Sequence, residues 1–275
     1  MCGVTPGKEA APRWSVVIPA YNEENRLPAY LLEVIAYFDG KGESYEVVVV
    51  NDGSQDDTGA VVENLQESYS ALRLVRLPRN RGKGYAVRAG MLNATGALRL
   101  FTDADGATPI QEVEKLKKRI VEGADIAIGS RALRDRTRTV RAKWRRMFFG
   151  RIFNLIVQCL NVKGITDTQC GFKLFPAQVA INLFSVLQID GYGFDVELLF
   201  VAQRRGYRIA EVAVNWTDQA GSKVRIFYDG LRMLREAWII RRNQFLWLYT
   251  PRDTTSSPEE ISHRLPDYKT PKASG

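Results

Sequence analysis

Tyr45-Glu-Val-Val-Val-Val-Asn-Asp-Gly-Ser54 sets four consecutive valines against a polar, turn-forming cluster. Consecutive β-branched residues favour extended backbone, and an apolar run without polar alternation fits a strand buried on both faces. Ser15 to Ala20 is a second run of this kind, followed by helical spacing from Leu27 to Phe38. Helical spacing returns around Val61 to Ser68, then a strand at Leu72 to Leu77, a helix from about Tyr85 and a strand at Ala97 to Thr102. Further strands are expected at Asp125 to Ile128 and Tyr207 to Val214. Such alternation predicts an α/β fold, a mostly parallel central sheet flanked by helices, in one domain through about Asp218.

In a sheet of this kind ligands sit beyond the carboxyl ends of the strands. The residues at those ends are Pro19-Ala-Tyr-Asn-Glu-Glu24, Asn51-Asp-Gly-Ser54 and Asp103-Ala-Asp-Gly106. All three are polar or acidic, and all three would converge on one edge.

Composition narrows the chemistry. The chain has 275 residues, 45% hydrophobic and 25% charged, which excludes a disordered polymer. Three cysteines, Cys2, Cys159 and Cys170, cannot make a disulfide framework or a four-cysteine zinc site. The single histidine, His263, removes most histidine-based catalysis. Met1 to Arg13 lack the apolar stretch of a signal peptide, and the longest apolar-looking region, Phe153 to Val162, falls well short of the roughly 20 residues a membrane span needs. The expected location is cytoplasmic.

The net charge of +8 is concentrated. Between Arg134 and Arg151 there are eight basic residues and one acid, Asp135. A nucleic-acid module does not surround this stretch, so nucleic acid is not an expected partner. It is either a solvated loop or, because Lys143-Trp-Arg-Arg-Met-Phe-Phe149 mixes cations with large apolar groups, a contact for an anionic membrane surface. The second reading is favoured. From Phe227 onward Leu231, Leu234, Trp238 and Phe245 keep helical spacing with arginines interleaved, so 226–249 is a second candidate for that contact.

Asp103 and Asp105 follow a strand. Two carboxylates one residue apart can share a hard divalent cation whose remaining ligands are water and phosphate. The plainer alternative is a polar turn before the helix expected near Pro109. Asp52, a third acid at the same edge, favours a cation, since clustered like charges are costly without one. Gly82-Lys-Gly84 imitates a nucleotide-binding loop. Val87 stands where a third glycine is needed, and Gly84 follows Lys83 where a P-loop has Ser or Thr.

Together, Val16 to Glu24, Val48 to Thr58, Asn80-Arg-Gly-Lys-Gly84 and Asp103-Ala-Asp105 resemble a family 2 glycosyltransferase of GT-A fold. Gly129-Ser-Arg131, Asp167 to Lys173, Phe194-Asp-Val-Glu197 and Gly221 to Arg225 resemble the branch that transfers a sugar to a polyprenyl phosphate. Asp103 to Thr108 is most similar to its glucosyl members. Mannosyl members often place Gln where this chain has Ala107.

The resemblance implies an inverting transferase, with UDP-glucose and a polyprenyl or dolichyl phosphate favoured. GDP-mannose with the same acceptor, or a soluble saccharide acceptor, is the alternative. A noncatalytic basic binding protein is the reading from a different class. The resemblance implies that Pro19, Tyr21, Glu23, Asp52, Lys83, Asp103, Ala104 and Gln169 bind the nucleotide sugar. Asp103 and Asp105 would hold a divalent metal, Mg2+ or Mn2+. Asp103, Asp105, Arg131, Asp167 and Glu197 are the expected catalytic set, and Arg131, Lys223 and Arg225 would meet phosphate. The expected organisation is an extension at 1–13, the transferase domain at 14–225, a basic amphipathic helix at 226–250 and a mobile tail at 251–275. Such an enzyme would lie peripherally on the inner face of the membrane.

Overall fold

A computed structural model describes residues 11–133, 140–141, 162–219, 226–246 and 249. Lys223, Arg225, the extension before residue 11, the tail at 251–275 and all of the basic stretch except 140–141 lie outside the described residues.

Seven strands form the main sheet: β1 (Trp14–Ala20), β2 (Tyr45–Asn51), β3 (Leu72–Arg76), β4 (Leu98–Thr102), β5 (Ile126–Ser130), β7 (Phe172–Pro176) and β8 (Ile209–Ala213). Their order is β3-β2-β1-β4-β7-β5-β8. Every pairing is parallel except the two made by β7, which runs antiparallel to both β4 and β5. A separate parallel pair joins β6 (Val140–Arg141) to β9 (Trp216–Thr217).

The valines of β2 show why the strand is apolar throughout. Val48 and Val50 enter one core, while Val47 and Val49 enter the other, on the opposite face. The first core is covered by α3 (Lys83–Asn93), α5 (Ala177–Phe184) and α6 (Phe194–Arg204). The second is covered by α1 (Leu27–Lys41), α2 (Thr58–Gln66) and α4 (Val113–Val121). In α1, Leu27, Tyr30, Leu31, Val34, Ile35 and Phe38 make the buried stripe, and Gly42, in a left-handed conformation (φ 63°), ends the helix.

The strands expected from β-branched runs are present, and the sheet is mostly parallel as expected. The antiparallel β7 was not anticipated. The C-terminal helix α7 (Ile226–Phe245) packs Glu236, Ile240 and Asn243 inward, one face at helical spacing. Among the described residues no helix is long and apolar enough to cross a membrane.

Candidate functional site

β1, β2, β4 and β5 run in one direction, so the segments after Ala20, Asn51, Thr102 and Ser130 emerge at one edge. Because β7 runs the other way, the segment before it, 167–171, reaches that same edge. The loops are laced together. Asn22 N–H donates to Ser54 Oγ (2.9 Å), Gln55 N–H to Asn22 Oδ1 (2.8 Å) and Glu23 N–H to Thr58 Oγ1 (2.7 Å). Asn22 holds a positive φ of 54°, which Asn tolerates better than most side chains. Asp103 N–H donates to Gly171 O (3.1 Å), and a Cβ on Gly171 would lie 2.0 Å from Asp103 Oδ2. Only glycine lets the acid rest there.

The partly open groups at this edge alternate in charge. Lys83 Nζ lies 2.6 Å from Asp103 Oδ1. Arg26 donates through Nε and Nη2 to the two oxygens of Glu23 (2.7 and 2.5 Å), and its Nη1 is 3.9 Å from Asp105 Oδ2. Asp105 Oδ1 accepts Ala107 N–H (3.1 Å), so the turn expected as the plainer reading is also formed. Burial, then the neighbouring charge of Asp103, push the Asp105 carboxyl above its ordinary pKa. Burial opposes the charged form of Lys83, but Asp103 and Asp195 outweigh it and its pKa rises. A cation, whether ammonium or metal, is what such a pair of acids favours.

Arg131 forms a two-pronged pair with Asp167, Nε to Oδ2 at 2.7 Å and Nη2 to Oδ1 at 2.8 Å, and its backbone N–H adds a third bond (2.8 Å). Burial raises the Asp167 pKa less than Arg131 lowers it, so the carboxylate stays ionised. The guanidinium also lies over the Trp216 ring, 5.5 Å from its centroid. About a third of the Arg131 side chain is still exposed, so it retains a face toward a ligand.

Other expected site residues are enclosed. Asp52 is 3% exposed, and its two oxygens accept the N–H groups of Arg81 (2.8 Å) and Gly82 (2.9 Å). It therefore holds the 81–82 loop in place. Glu197, expected among the catalytic groups, is fully buried. Its carboxylate accepts Gln188 N–H, Ile189 N–H and Tyr249 O–H, so the structure gives it a positioning place instead. Pro19, Tyr21 and Glu23 are half-buried around the β1–α1 connection, Ala104 is buried between the two aspartates, and Gln169 is half-buried beside Asp167.

Three participants were missed. Arg26 joins Glu23 to Asp105, and its only signal was the three-residue spacing from Glu23. Lys173 is fully buried, with Nζ 2.5 Å from Asp195 Oδ1 and 2.6 Å from Cys170 O. Both Lys173 and Asp195 stand inside stretches that were singled out, yet neither pattern shows that they meet.

Asp103 and Asp105 offer hard oxygen donors suited to Mg2+ or Mn2+. Among the described residues no group of three or more His, Cys, Asp or Glu could hold a metal. The pair therefore fits a cation that takes its other ligands from a bound phosphate and water.

Sheet order, the reversed β7 and the acid pair after β4 define the class: a GT-A glycosyltransferase fold. A glucosyl-3-phosphoglycerate synthase from Mycobacterium tuberculosis, crystallised with Mn2+, UDP and phosphoglyceric acid, superposes with a TM-score of 0.61 at 21% identity, covering 88% of this chain and 80% of that one. A mannosyl-3-phosphoglycerate synthase from Rubrobacter xylanophilus gives 0.63 at 20% identity, covering 90% and 79%. Residues 15–184 match the model of glycosyl transferase family 2, and the chain belongs to that family. Dolichyl-phosphate beta-glucosyltransferase of Mus musculus is 43% identical over 82% of this chain and 74% of its own length. The protein of that name from Saccharomyces cerevisiae is 37% identical over 86% and 76%.

Proposed function

We propose that this glycosyltransferase moves glucose, with inversion, from UDP-glucose to a polyprenyl or dolichyl phosphate at a membrane surface. One observation carries the reading. The partly open acids Asp103 and Asp105 meet Lys83 and Arg26 at one sheet edge, with the Arg131–Asp167 pair on a neighbouring strand end. The relatives named above support the choice of sugar and acceptor.

A phosphate acceptor is substantially ionised near neutral pH, its second pKa being about 6, so its oxygen needs no strong base to attack the anomeric carbon. Arg131, held in place by Asp167, orients that phosphate. Lys83 and Arg26 place positive charge beside the acids, where a leaving diphosphate gathers negative charge. Asp103 and Asp105 would hold Mg2+ or Mn2+, which offsets the charge of the diphosphate when bound. Glu23, Tyr21, Pro19 and the Asp52-anchored loop surround the nucleoside, and Gln169 and Ala104 flank the sugar. Lys223 and Arg225 are proposed as further phosphate contacts.

Membrane contact is assigned to 134–151 and to α7. On α7, Trp238 is 64% and Phe245 82% exposed, and Leu246 beside them 54%. Arg235, Arg241 and Arg242 are exposed on the same side, the pattern of a helix lying in an anionic interface.

The test offers the protein UDP-glucose, UDP-galactose and GDP-mannose in turn, with Mn2+ or Mg2+ and a polyprenyl phosphate, and identifies the lipid product by mass spectrometry. A hexosyl lipid from UDP-glucose alone is expected. Product only from GDP-mannose, or none from any lipid phosphate, overturns the reading.

A further inference from the structure

We propose that Glu236 of α7 is a positioning residue for Lys83, acting through the segment 187–193, an inference that rests on the role given to Lys83 above. α3 begins at Lys83 without any side-chain cap. Its orphan N–H groups find a partner in trans instead: Gly84 N–H donates to Asp190 O at 2.8 Å, and Tyr85 N–H to the same oxygen at 3.3 Å. On the other side of Lys83, Asp52 takes the N–H groups of Arg81 and Gly82. The backbone of Lys83 is thus clamped between Asp52 and Asp190.

The fit leaves no slack. A Cβ on Gly82 would lie 2.5 Å from Asp190 O, and one on Gly84 would lie 2.4 Å from Ile189 O. Arg88 ties the same segment from within α3, donating to Leu187 O (3.0 Å) and pairing with Asp190 Oδ1 (2.8 Å).

The segment has two outer anchors, and both lead toward the C-terminal part of the chain. Glu197 holds Gln188 and Ile189 and is itself held by Tyr249 O–H at 2.7 Å. Glu236 Oε2 accepts Gly193 N–H at 2.8 Å, in a contact so close that a Cβ on Gly193 would come within 2.5 Å of that oxygen. Glu236 is 6% exposed and lies on the inward face of α7, whose other side carries Trp238, Arg241, Arg242 and Phe245. Hydrogen bonds to a buried carboxylate are stronger than neutral ones, and losing the acceptor leaves a buried N–H unsatisfied. Movement of α7 would therefore pass to 187–193 and from there to the first turn of α3. A helix that contacts the membrane would set the placement of the diphosphate lysine.

The experiment compares Glu236→Ala, Glu236→Gln and wild type. Amide hydrogen exchange is read at Gly84 and Tyr85, which do not touch Glu236, and the KM for UDP-glucose is measured alongside. For Glu236→Ala, exchange at Gly84 and Tyr85 is expected to accelerate about tenfold while α1 and β2 stay protected. The KM for UDP-glucose should rise about fivefold with the acceptor KM unchanged. Glu236→Gln, which keeps an oxygen for Gly193, should restore both. Unchanged exchange at Gly84 and Tyr85, or faster exchange spread equally over the whole sheet, overturns the proposal. Should Glu236→Ala fail to fold, Glu236→Asp, which keeps the charge but draws the carboxylate back from Gly193 N–H, is expected to shift the same two amides; no shift overturns the proposal. Exchange is read without substrate, so a protein that does not use UDP-glucose fails the functional reading while the strut is still tested.

Discussion

Glu197 lies in the core, accepting hydrogen bonds from Gln188 N–H, Ile189 N–H and Tyr249 O–H, and burial, outweighing these bonds, raises its pKa to about 7. A carboxyl whose pKa is raised on folding takes up a proton as the chain folds. Its contribution to stability is complete below its ordinary value of 4.5 and is lost as pH rises toward 7. The loss amounts to about 3 kcal/mol at 1.4 kcal/mol per unit. Glu197→Gln imitates the protonated form, with its oxygen still serving Gln188 and Ile189 and its amide facing Tyr249. Urea unfolding at pH 5 and pH 7.5 should show a flatter stability profile for the variant than for wild type. Equal slopes would remove Glu197 as the source. Asp105→Asn makes a second residue-scale test, because it takes one of two hard oxygen donors from the acid pair. Mn2+ binding in the presence of UDP, followed by electron paramagnetic resonance, should weaken more than tenfold with the melting temperature unchanged, one lost anionic ligand costing upward of about 1.4 kcal/mol. Equal Mn2+ binding would take the metal away from this pair. Asp103 and Asp105 were legible because each site carboxylate follows a strand directly. Arg26 and Asp195 were not, because their partners are distant in sequence or sit on another element.

Among elements, α3 shows two effects in competition. Alanine is favoured over glycine in a helix by about 1 kcal/mol. At Gly84, however, the added carbon would sit 2.4 Å from Ile189 O and 2.7 Å from Phe194 Cβ, neither of which is the free end of a flexible chain. Overpacking of this kind costs about 1–3 kcal/mol, so the clash outweighs the propensity. Gly84→Ala should lower the melting temperature, whereas Gly40→Ala, with nothing within 4 Å of the new carbon, should hold or raise it. A higher melting temperature for Gly84→Ala would mean that 187–193 is not packed against α3 as described. The elements themselves were unequally legible. The valine run of β2 announced burial on both faces, and both faces are covered. β7 was hidden by Lys173 in the middle of Phe172-Lys-Leu-Phe-Pro176, since a charge in a short apolar run argues against a central strand. Its burial depends on Asp195, contributed by α6 from 22 residues away, and no local pattern contains that pairing.

At the scale of the whole molecule, the charge excess of 134–151 and the exposed aromatics of α7 are the two regions proposed above as membrane contacts. Arg134 to Arg151 holds eight of the basic residues, and α7 exposes Trp238 and Phe245 among arginines. On that proposal each alone would be a weak anchor: a basic residue near an anionic surface contributes about 1 kcal/mol, and stable attachment of a peripheral protein takes two signals. Neutralising Arg141, Lys143, Arg145 and Arg146 should therefore reduce sedimentation with phosphatidylserine vesicles, and raising the salt should shrink the difference from wild type because exposed charges are screened. Trp238→Ser with Phe245→Ser should reduce sedimentation too, but with little dependence on salt, since apolar burial is not screened. Combining the two sets should abolish sedimentation beyond the sum of the single losses, because two linked contacts bind with a high effective concentration. Turnover on a short, water-soluble isoprenyl phosphate should survive the four basic substitutions, as the acid pair and Lys83 come from earlier strand ends. If the basic variant and the aromatic variant both sediment like wild type, neither region is a membrane contact. If only the aromatic variant is affected, the basic stretch is a solvated loop and α7 alone meets the lipid.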